Sequence, residues 1–159
     1  MATGFTVRPA TPADVPAILL LWQEMMQHHY ALDNRFEPSA EGAASFHQAL
    51  QEWLQKENMR ILVADAGGEL IGYAVGIDRD GPPVLLPPRF GYISDMSVAA
   101  AHRRQGVARA LLAGLTDWFR ERGLSTIRLS VAHANPQSQA FWRAMGFTDY
   151  LDTLWGDIK

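Results

Sequence analysis

The chain of 159 residues contains no cysteine. Thiol nucleophiles, disulfides and cysteine ligands for zinc or iron–sulfur clusters are therefore excluded, and we predict no bound metal. Long hydrophobic runs are also missing. The longest one near the start, Ala17 to Trp22, is far shorter than the roughly 20 residues that span a bilayer. No basic region followed by an apolar one opens the chain. We expect no membrane partner and no signal peptide, with the cytoplasm as the default location.

Lysine is scarce, because arginine supplies 12 of the 14 basic residues. The charges are also unevenly placed: residues 1–80 hold 11 acids and 5 bases, whereas residues 81–159 hold 6 acids and 9 bases. The planar guanidinium group suits phosphate oxygens. This pattern favours an anionic ligand for the second half and a cationic one for the first, and a chance distribution of surface charge is the alternative.

The composition, with 48% apolar residues, 13 glycines and 9 prolines, is typical of a globular protein, and we predict a single domain over residues 1–159. The apolar periodicity predicts, in order, a strand, two helices, three strands, a helix, a strand, a helix and a strand. This order indicates an α/β fold with a mixed, mostly antiparallel sheet and helices on its faces. Three strands without intervening helices argue against a doubly wound parallel fold.

Individual element boundaries are also predicted. Thr11 and Asp14 begin the first helix as N-cap and N3 residues, and that helix ends near His28 or His29. Asn135 caps a helix over Pro136 to Ala144. The last predicted strand covers Phe147 to Leu154.

The first chemical motif joins the strand that ends at Val98 to the helix that starts after Gly106. Backbone N–H groups at such a helix N-terminus have no partner inside the helix and bind anions. Gly106 lets a phosphate approach the backbone closely, and three arginines add positive charge: Arg103, Arg104 and Arg109. The motif predicts a phosphate site, and a solvated basic turn is the alternative interpretation.

The second motif, Asn135 to Phe147, follows one strand later and contains Phe141-Trp142 and Gly146-Phe147. Together with the first motif, and with the opening Val7 to Asp14, it resembles the GNAT superfamily of acyl-CoA-dependent N-acetyltransferases. The resemblance covers nearly the whole chain. It implies the GNAT fold, in which a mixed, mostly antiparallel sheet has helices on both faces and a V-shaped splay between two strands.

The resemblance also implies acetyl-CoA as co-substrate. The loop Arg103 to Ala108 would wrap the pyrophosphate with backbone N–H groups, the strand end Met96 to Val98 would pair with the pantetheine arm, and Asn135 would face that arm. The cofactor-binding candidates are therefore Met96, Ser97, Val98, Arg103, Arg104, Gln105, Gly106, Val107, Ala108, Arg109 and Asn135.

The reaction that the resemblance implies is direct transfer of an acetyl group to a primary amine of a small molecule or peptide in a ternary complex. Backbone N–H groups near Val98 would polarise the thioester carbonyl. An ammonium group cannot attack, so a base must remove its proton. Asp95 is the first candidate for base or amine anchor, and a structural carboxylate is the equal alternative. The weaker candidates are His28, His29 and His133.

Trp142 stands where family members often carry a tyrosine that protonates the departing thiolate. An indole N–H donates a hydrogen bond but delivers no proton at neutral pH. Water, Ser138 or Tyr150 are the replacements, and Tyr150 joins Asp95 as a catalytic candidate. The departure keeps open a second function, a non-catalytic sensor that binds acyl-CoA on a GNAT fold.

The family places the acceptor beside two segments, about His28 to Ser39 and Asp78 to Arg89. The first has an aromatic and acidic composition that suits an amine with an apolar body, and packing of a helix end on the sheet is the alternative. A nucleic-acid partner is disfavoured by the net charge of -3. Only one strand fits after Gly146, so we expect either a sheet one strand short or a homodimer whose partner covers the edge.

Overall fold

The computed structural model describes residues 4–159, and Met1 to Thr3 lie outside the described part. Its centre is one sheet of five strands in the order β1-β2-β3-β4-β5. The first four strands pair antiparallel, and β5 runs parallel to β4. The elements are β1 (Thr6–Pro9), α1 (Val15–Leu32), α2 (Gly42–Trp53), β2 (Met59–Asp65), β3 (Leu70–Asp80), β4 (Arg89–Val98), α3 (Val107–Glu121), β5 (Ile127–Leu129) and α4 (Pro136–Ala144).

Helices cover both faces of the sheet, as predicted. On one face α1 and α2 pack their apolar side chains against Tyr73 and Val75 of β3. On the other face, α3 and α4 pack around Phe119. The sheet carries glycine where α3 approaches most closely: a Cβ atom on Gly91 would lie 2.7 Å from the Phe119 ring. The two-sided packing and the mixed sheet confirm the predicted α/β architecture.

A β-bulge in β4 decides which side chains face α1. Val75 pairs with Asp95, and the next residue, Gly76, pairs with Ile93, so Ser94 is one residue extra. Such a bulge re-aims the side chains that follow it. After the bulge, Asp95 lies on the α1 face of the sheet, beside Val75.

The strands β4 and β5 separate soon after they meet. Their pairing is limited to three positions of β4, from Gly91 to Ile93. Beyond them, the edge of β4 from Ser94 to Val98 that points away from β3 has no strand partner within residues 4–159. This opening is the predicted V-shaped gap in the sheet.

The predicted strand over Phe147 to Leu154 is wrong, since the described chain has no strand after β5. This segment leaves Leu151 81% and Leu154 91% exposed. Alternating residues with β propensity form a strand only when an edge of a sheet pairs with them, and here none does. Helix α1 runs on to Leu32, past the predicted end. Within residues 4–159, no helix has the length and apolarity needed to cross a membrane.

Candidate active site

The loop before α3 has the backbone shape of an anion site. Arg104 has a φ of 61° and Gly106 a φ of 85°, both in the left-handed region. Left-handed residues in a loop turn successive N–H groups toward one concave side. A Cβ atom on Gly106 would meet nothing within 4 Å, so the space above the loop is open. Buried Val107 anchors the start of α3 against β3 at Gly72.

The three arginines of the loop differ in their contacts with the rest of the protein. The guanidinium of Arg103 donates a hydrogen bond of 3.3 Å to the carbonyl of Val98 and lies 3.8 Å from the carboxylate of Glu24. Glu24 in turn accepts the N–H of Ala100 at 2.8 Å. Arg103 therefore ties the loop to β4 and α1. Arg104 and Arg109 are exposed and form no ion pair within residues 4–159, which makes them the cations available to a ligand.

The free edge of β4 offers backbone, because its side chains point into the two cores. Met96 and Val98 pack against the α3 core. Ser97 is buried on the other side, where its hydroxyl lies 3.5 Å from the carbonyl of Leu21. What these three residues present to the gap is their N–H and C=O groups, the groups that pair with the amides of an extended ligand.

Asn135 and Trp142 of the second motif both make contacts that stabilise the fold. Asn135 is buried, and its side-chain oxygen accepts the N–H of Ser138 at 3.1 Å, which confirms it as the N-cap of α4. Trp142 is buried with its ring edge-on to Phe141 and Phe147, at centroid distances of 5.0 and 5.2 Å. The indole of Trp142 is thus core packing.

Asp95 lies on the part of β4 that has no strand partner on the β5 side, with its side chain on the face that α1 covers. It is half-buried, and the Ser94 hydroxyl donates a hydrogen bond of 3.0 Å to it. Burial raises the pKa of Asp95 above its ordinary value, against the opposing effect of Ser94. Carboxyl groups with raised pKa in a cleft are typical of catalytic bases.

Sequence reasoning did not single out Tyr73, which lies on β3 next to Asp95. Its side chain is fully buried, and burial followed by the charge of Asp95 raises its pKa well above the ordinary value. Nothing in the local sequence distinguishes Tyr73 from any other strand tyrosine, since its neighbours come from β4 and α2.

Tyr150 lies outside any strand, which corrects its expected position on a last strand. It is exposed, and the guanidinium of Arg128 stands 5.0 Å from its ring centroid. The structure shows no hydrogen bond from its hydroxyl within residues 4–159. Its role as a general acid remains a prediction.

The segment after α1 is less acidic than its composition indicates. Arg35 binds the carboxylate of Asp33 at 2.6 Å, and this hydrogen bonding lowers the pKa of Asp33 to about 2. Burial, helped by the charge of His28, lowers the pKa of His29. Asp33 is therefore already paired, whereas Asp95 forms no ion pair within residues 4–159.

The family model and the relatives that match this chain by sequence are all acetyltransferases. The model of the acetyltransferase (GNAT) family matches residues 22–147. A Stenotrophomonas maltophilia aminoglycoside N(6')-acetyltransferase type 1 is 27% identical over 150 residues, covering 94% of this chain and 90% of the relative. A mouse protein, probable N-acetyltransferase family 8 member 5, is 31% identical over 85 residues, or 54% of this chain. The matched part spans only 37% of the mouse protein's length.

Solved structures share the fold. A mutant of the BH1408 protein from Bacillus halodurans superposes with a TM-score of 0.85 at 22% identity, covering 97% of this chain and 99% of that one. The aminoglycoside N-acetyltransferase AAC(6')-Iy, crystallised with CoA, superposes with a TM-score of 0.74 at 18% identity, covering 98% and 95%. With the family model matching residues 22–147, the chain belongs to the GNAT family of acetyltransferases.

Proposed function

We propose that this protein transfers an acetyl group from acetyl-CoA to a primary amine of a small molecule, in a ternary complex. The observation that carries the proposal is the succession of three features at the unpaired end of β4: the open left-handed loop at Gly106, the free backbone edge of the strand and the half-buried carboxylate of Asp95. They suit, in that order, the phosphates, the amide-bearing arm and the amine.

The residues of the loop and strand fit acetyl-CoA. Free N–H groups at the start of α3, with Arg104 and Arg109 beside them, suit a pyrophosphate. The backbone of Met96 to Val98 pairs with the pantetheine amides. Bound acetyl-CoA would supply a thioester whose carbonyl carbon is open to attack by a neutral amine; as the C–N bond forms and the C–S bond breaks, the second proton lost by the nitrogen neutralises the departing thiolate.

The chain's own groups supply the proton transfer and the orientation. An ammonium group first binds the Asp95 carboxylate and then loses a proton to it, which leaves the nitrogen neutral. A base of raised pKa suits this task at neutral pH, because its affinity for the proton comes closer to that of the amine. Backbone N–H groups near Val98 donate to the carbonyl oxygen as negative charge develops on it.

An aminoglycoside-like acceptor, a sugar scaffold bearing several amines, is the substrate class we favour over a peptide. The relative that aligns over 90% of its own length carries that activity in its name. Residues 1–80 carry 11 acids against 5 bases, and this negative balance favours a cationic acceptor over an anionic one. We also propose a cytoplasmic location and a single catalytic domain over residues 1–159.

The first prediction tests the activity. Acetyl-CoA is incubated with the protein and a panel of neamine, amino acids, peptides and simple primary amines, and released thiol is followed with a chromogenic disulfide. The chain has no cysteine, so every thiol detected is coenzyme A. We expect release well above hydrolysis with neamine. Coenzyme A binding without release across the whole panel would instead identify a sensor, and no binding would refute the proposal.

A homodimer is our second proposal. The segment after α4 exposes large apolar side chains, among them Leu151, Leu154 and Trp155 at 81%, 91% and 67%. Single exposed apolar residues are ordinary, whereas a cluster of them marks an interaction surface. β5 is the edge strand of the sheet on this side. A two-fold contact in which this segment of each chain packs against the β5 edge of the other is self-complementary and closes as a dimer.

The second prediction concerns this contact. Sedimentation of the wild type over a range of concentrations is expected to give a dimer mass, because burial of the apolar segment stabilises association. The double substitution Leu151→Asp and Leu154→Asp should give monomers. A concentration-independent monomer mass for the wild type would remove the dimer proposal and leave the acetyltransferase proposal intact.

A further inference from the structure

The hydroxyl of Tyr73 is a buried polar group that has no partner. The side chain is 0% exposed, and its hydroxyl makes no hydrogen bond within residues 4–159. The ring lies against Phe46 of α2, with centroids 6.4 Å apart. A buried tyrosine hydroxyl normally finds an acceptor, because leaving it unpaired forfeits its hydration without compensation. An orphan of this kind in a native core points to a function for the hydroxyl.

The register of the sheet brings Tyr73 next to Asp95. Tyr73 lies opposite Ser97, and Val75 lies opposite Asp95, so Tyr73 and Asp95 are diagonal neighbours on adjacent strands. Both belong to the face that α1 covers. Diagonal neighbours are about 7–8 Å apart at the backbone, a span that an aromatic side chain bridges. Burial, and after it the charge of Asp95, raises the pKa of the Tyr73 hydroxyl.

We propose that Tyr73 is a positioning residue for the transfer reaction: its hydroxyl donates a hydrogen bond to the Asp95 carboxylate when bound substrates close over that carboxylate. Ser94 already donates to Asp95 from β4, and Tyr73 is the donor available from β3. Two donors fix the orientation in which Asp95 receives the proton of the amine. Hydrogen bonds in ligand-free sites are often long and shorten only with the substrates present. This inference rests on Asp95 as the base in the proposed function.

No other ionisable group of the neighbouring elements hydrogen-bonds to the Tyr73 hydroxyl within residues 4–159. Glu24 of α1 accepts from Ala100 and faces Arg103, and burial lowers the pKa of His29 beside His28. At the far end of the sheet, Arg79 stacks on the Tyr92 ring at 4.0 Å. Arg128 of β5 stacks on the Phe90 ring at 4.1 Å. From α2, the group next to Tyr73 is the apolar ring of Phe46.

The test, our third prediction, is Tyr73→Phe, which keeps the ring and removes only the donor. The titration of the Asp95 carboxyl is followed by carbon-13 NMR with coenzyme A bound, its resonance being assigned by its loss in Asp95→Asn. Losing a donor disfavours the carboxylate, so the midpoint should move to higher pH by about one pH unit. The acid limb of kcat should move by the same amount.

The matched control is Phe46→Leu, which loosens the packing around the Tyr73 ring without removing a donor. Its Asp95 midpoint should equal that of the wild type. An unchanged midpoint in Tyr73→Phe, or an equal shift in Phe46→Leu, overturns the inference. The two proposals fail separately. Full thiol release by Asp95→Asn refutes Asp95 as the base. If Asp95→Asn is inactive but the Asp95 midpoint is unchanged in Tyr73→Phe, only the positioning role is refuted.

Discussion

Replacement of Gly106 by valine is expected to abolish binding of coenzyme A. A Cβ atom at this position meets no protein atom within 4 Å, so the new side chain fills the space that the phosphates would occupy. It also covers the free N–H groups at the start of α3. Each hydrogen bond to a charged group contributes about 1.5–3 kcal/mol, and loss of two weakens binding by about 100-fold or more. Calorimetric titration with coenzyme A measures the effect.

The chain offers a matched control for Gly106 at the other end of the same helix. Gly123 has a φ of 76°, close to the 85° of Gly106, and a Cβ atom there also meets nothing within 4 Å. Valine is strained to a similar degree at both positions, at a cost of about 1–3 kcal/mol each. Gly123→Val should therefore lose similar thermal stability but keep its affinity for coenzyme A. Equal affinities in the two variants would disprove the phosphate role of the loop.

Asp95→Asn is expected to lower kcat/KM by about 10²–10⁴-fold, the usual contribution of a general base. The amide still accepts a hydrogen bond but takes no proton, so the amine stays protonated. Affinity for coenzyme A should be unchanged, because Asp95 faces the amine and not the phosphates. The measurement is initial thiol release with neamine as acceptor. Asp117→Asn, an exposed aspartate that pairs with Arg120 on α3, is the control that should leave kcat/KM unaltered.

Asp95→Asn is expected to lower activity but to raise the stability of the fold at neutral pH. Burial raises the pKa of Asp95 above its ordinary value of 3.8, so the native state binds a proton more tightly than the unfolded state. Ionisation of Asp95 therefore destabilises the fold at neutral pH. This penalty disappears as the pH falls toward the pKa that Asp95 has in the unfolded chain. Asp95→Asn should unfold at a higher temperature than the wild type at pH 7 and lose that advantage near pH 4. A lower midpoint at pH 7 would argue for a structural carboxylate.

Local patterns in the sequence were sufficient for the presence of the helices and for the backbone of the loop before α3. Asn135 with Pro136 predicted the start of α4, which the structure confirms. Thr11 and Asp14 form the predicted capping box, but it opens a short 3-10 turn over Pro12–Asp14, and α1 follows from Val15. Caps and amphipathic stripes depend on residues a few positions apart, so the sequence displays them directly. The position of Gly106 between a strand and a helix likewise predicted the backbone that the structure shows there.

What sequence alone determined, then, is the order of elements as far as α4, the family resemblance and the left-handed loop before α3, all carried by neighbours along the chain. Tertiary structure decided the rest. The bulge at Ser94 turned Asp95 toward α1, Trp142 entered the aromatic core, Phe147 to Leu154 stayed without a strand partner, and Tyr73 came to lie beside Asp95. Each of these depends on pairing or burial between residues far apart in sequence, and such contacts exist only once the sheet and its helices have packed together.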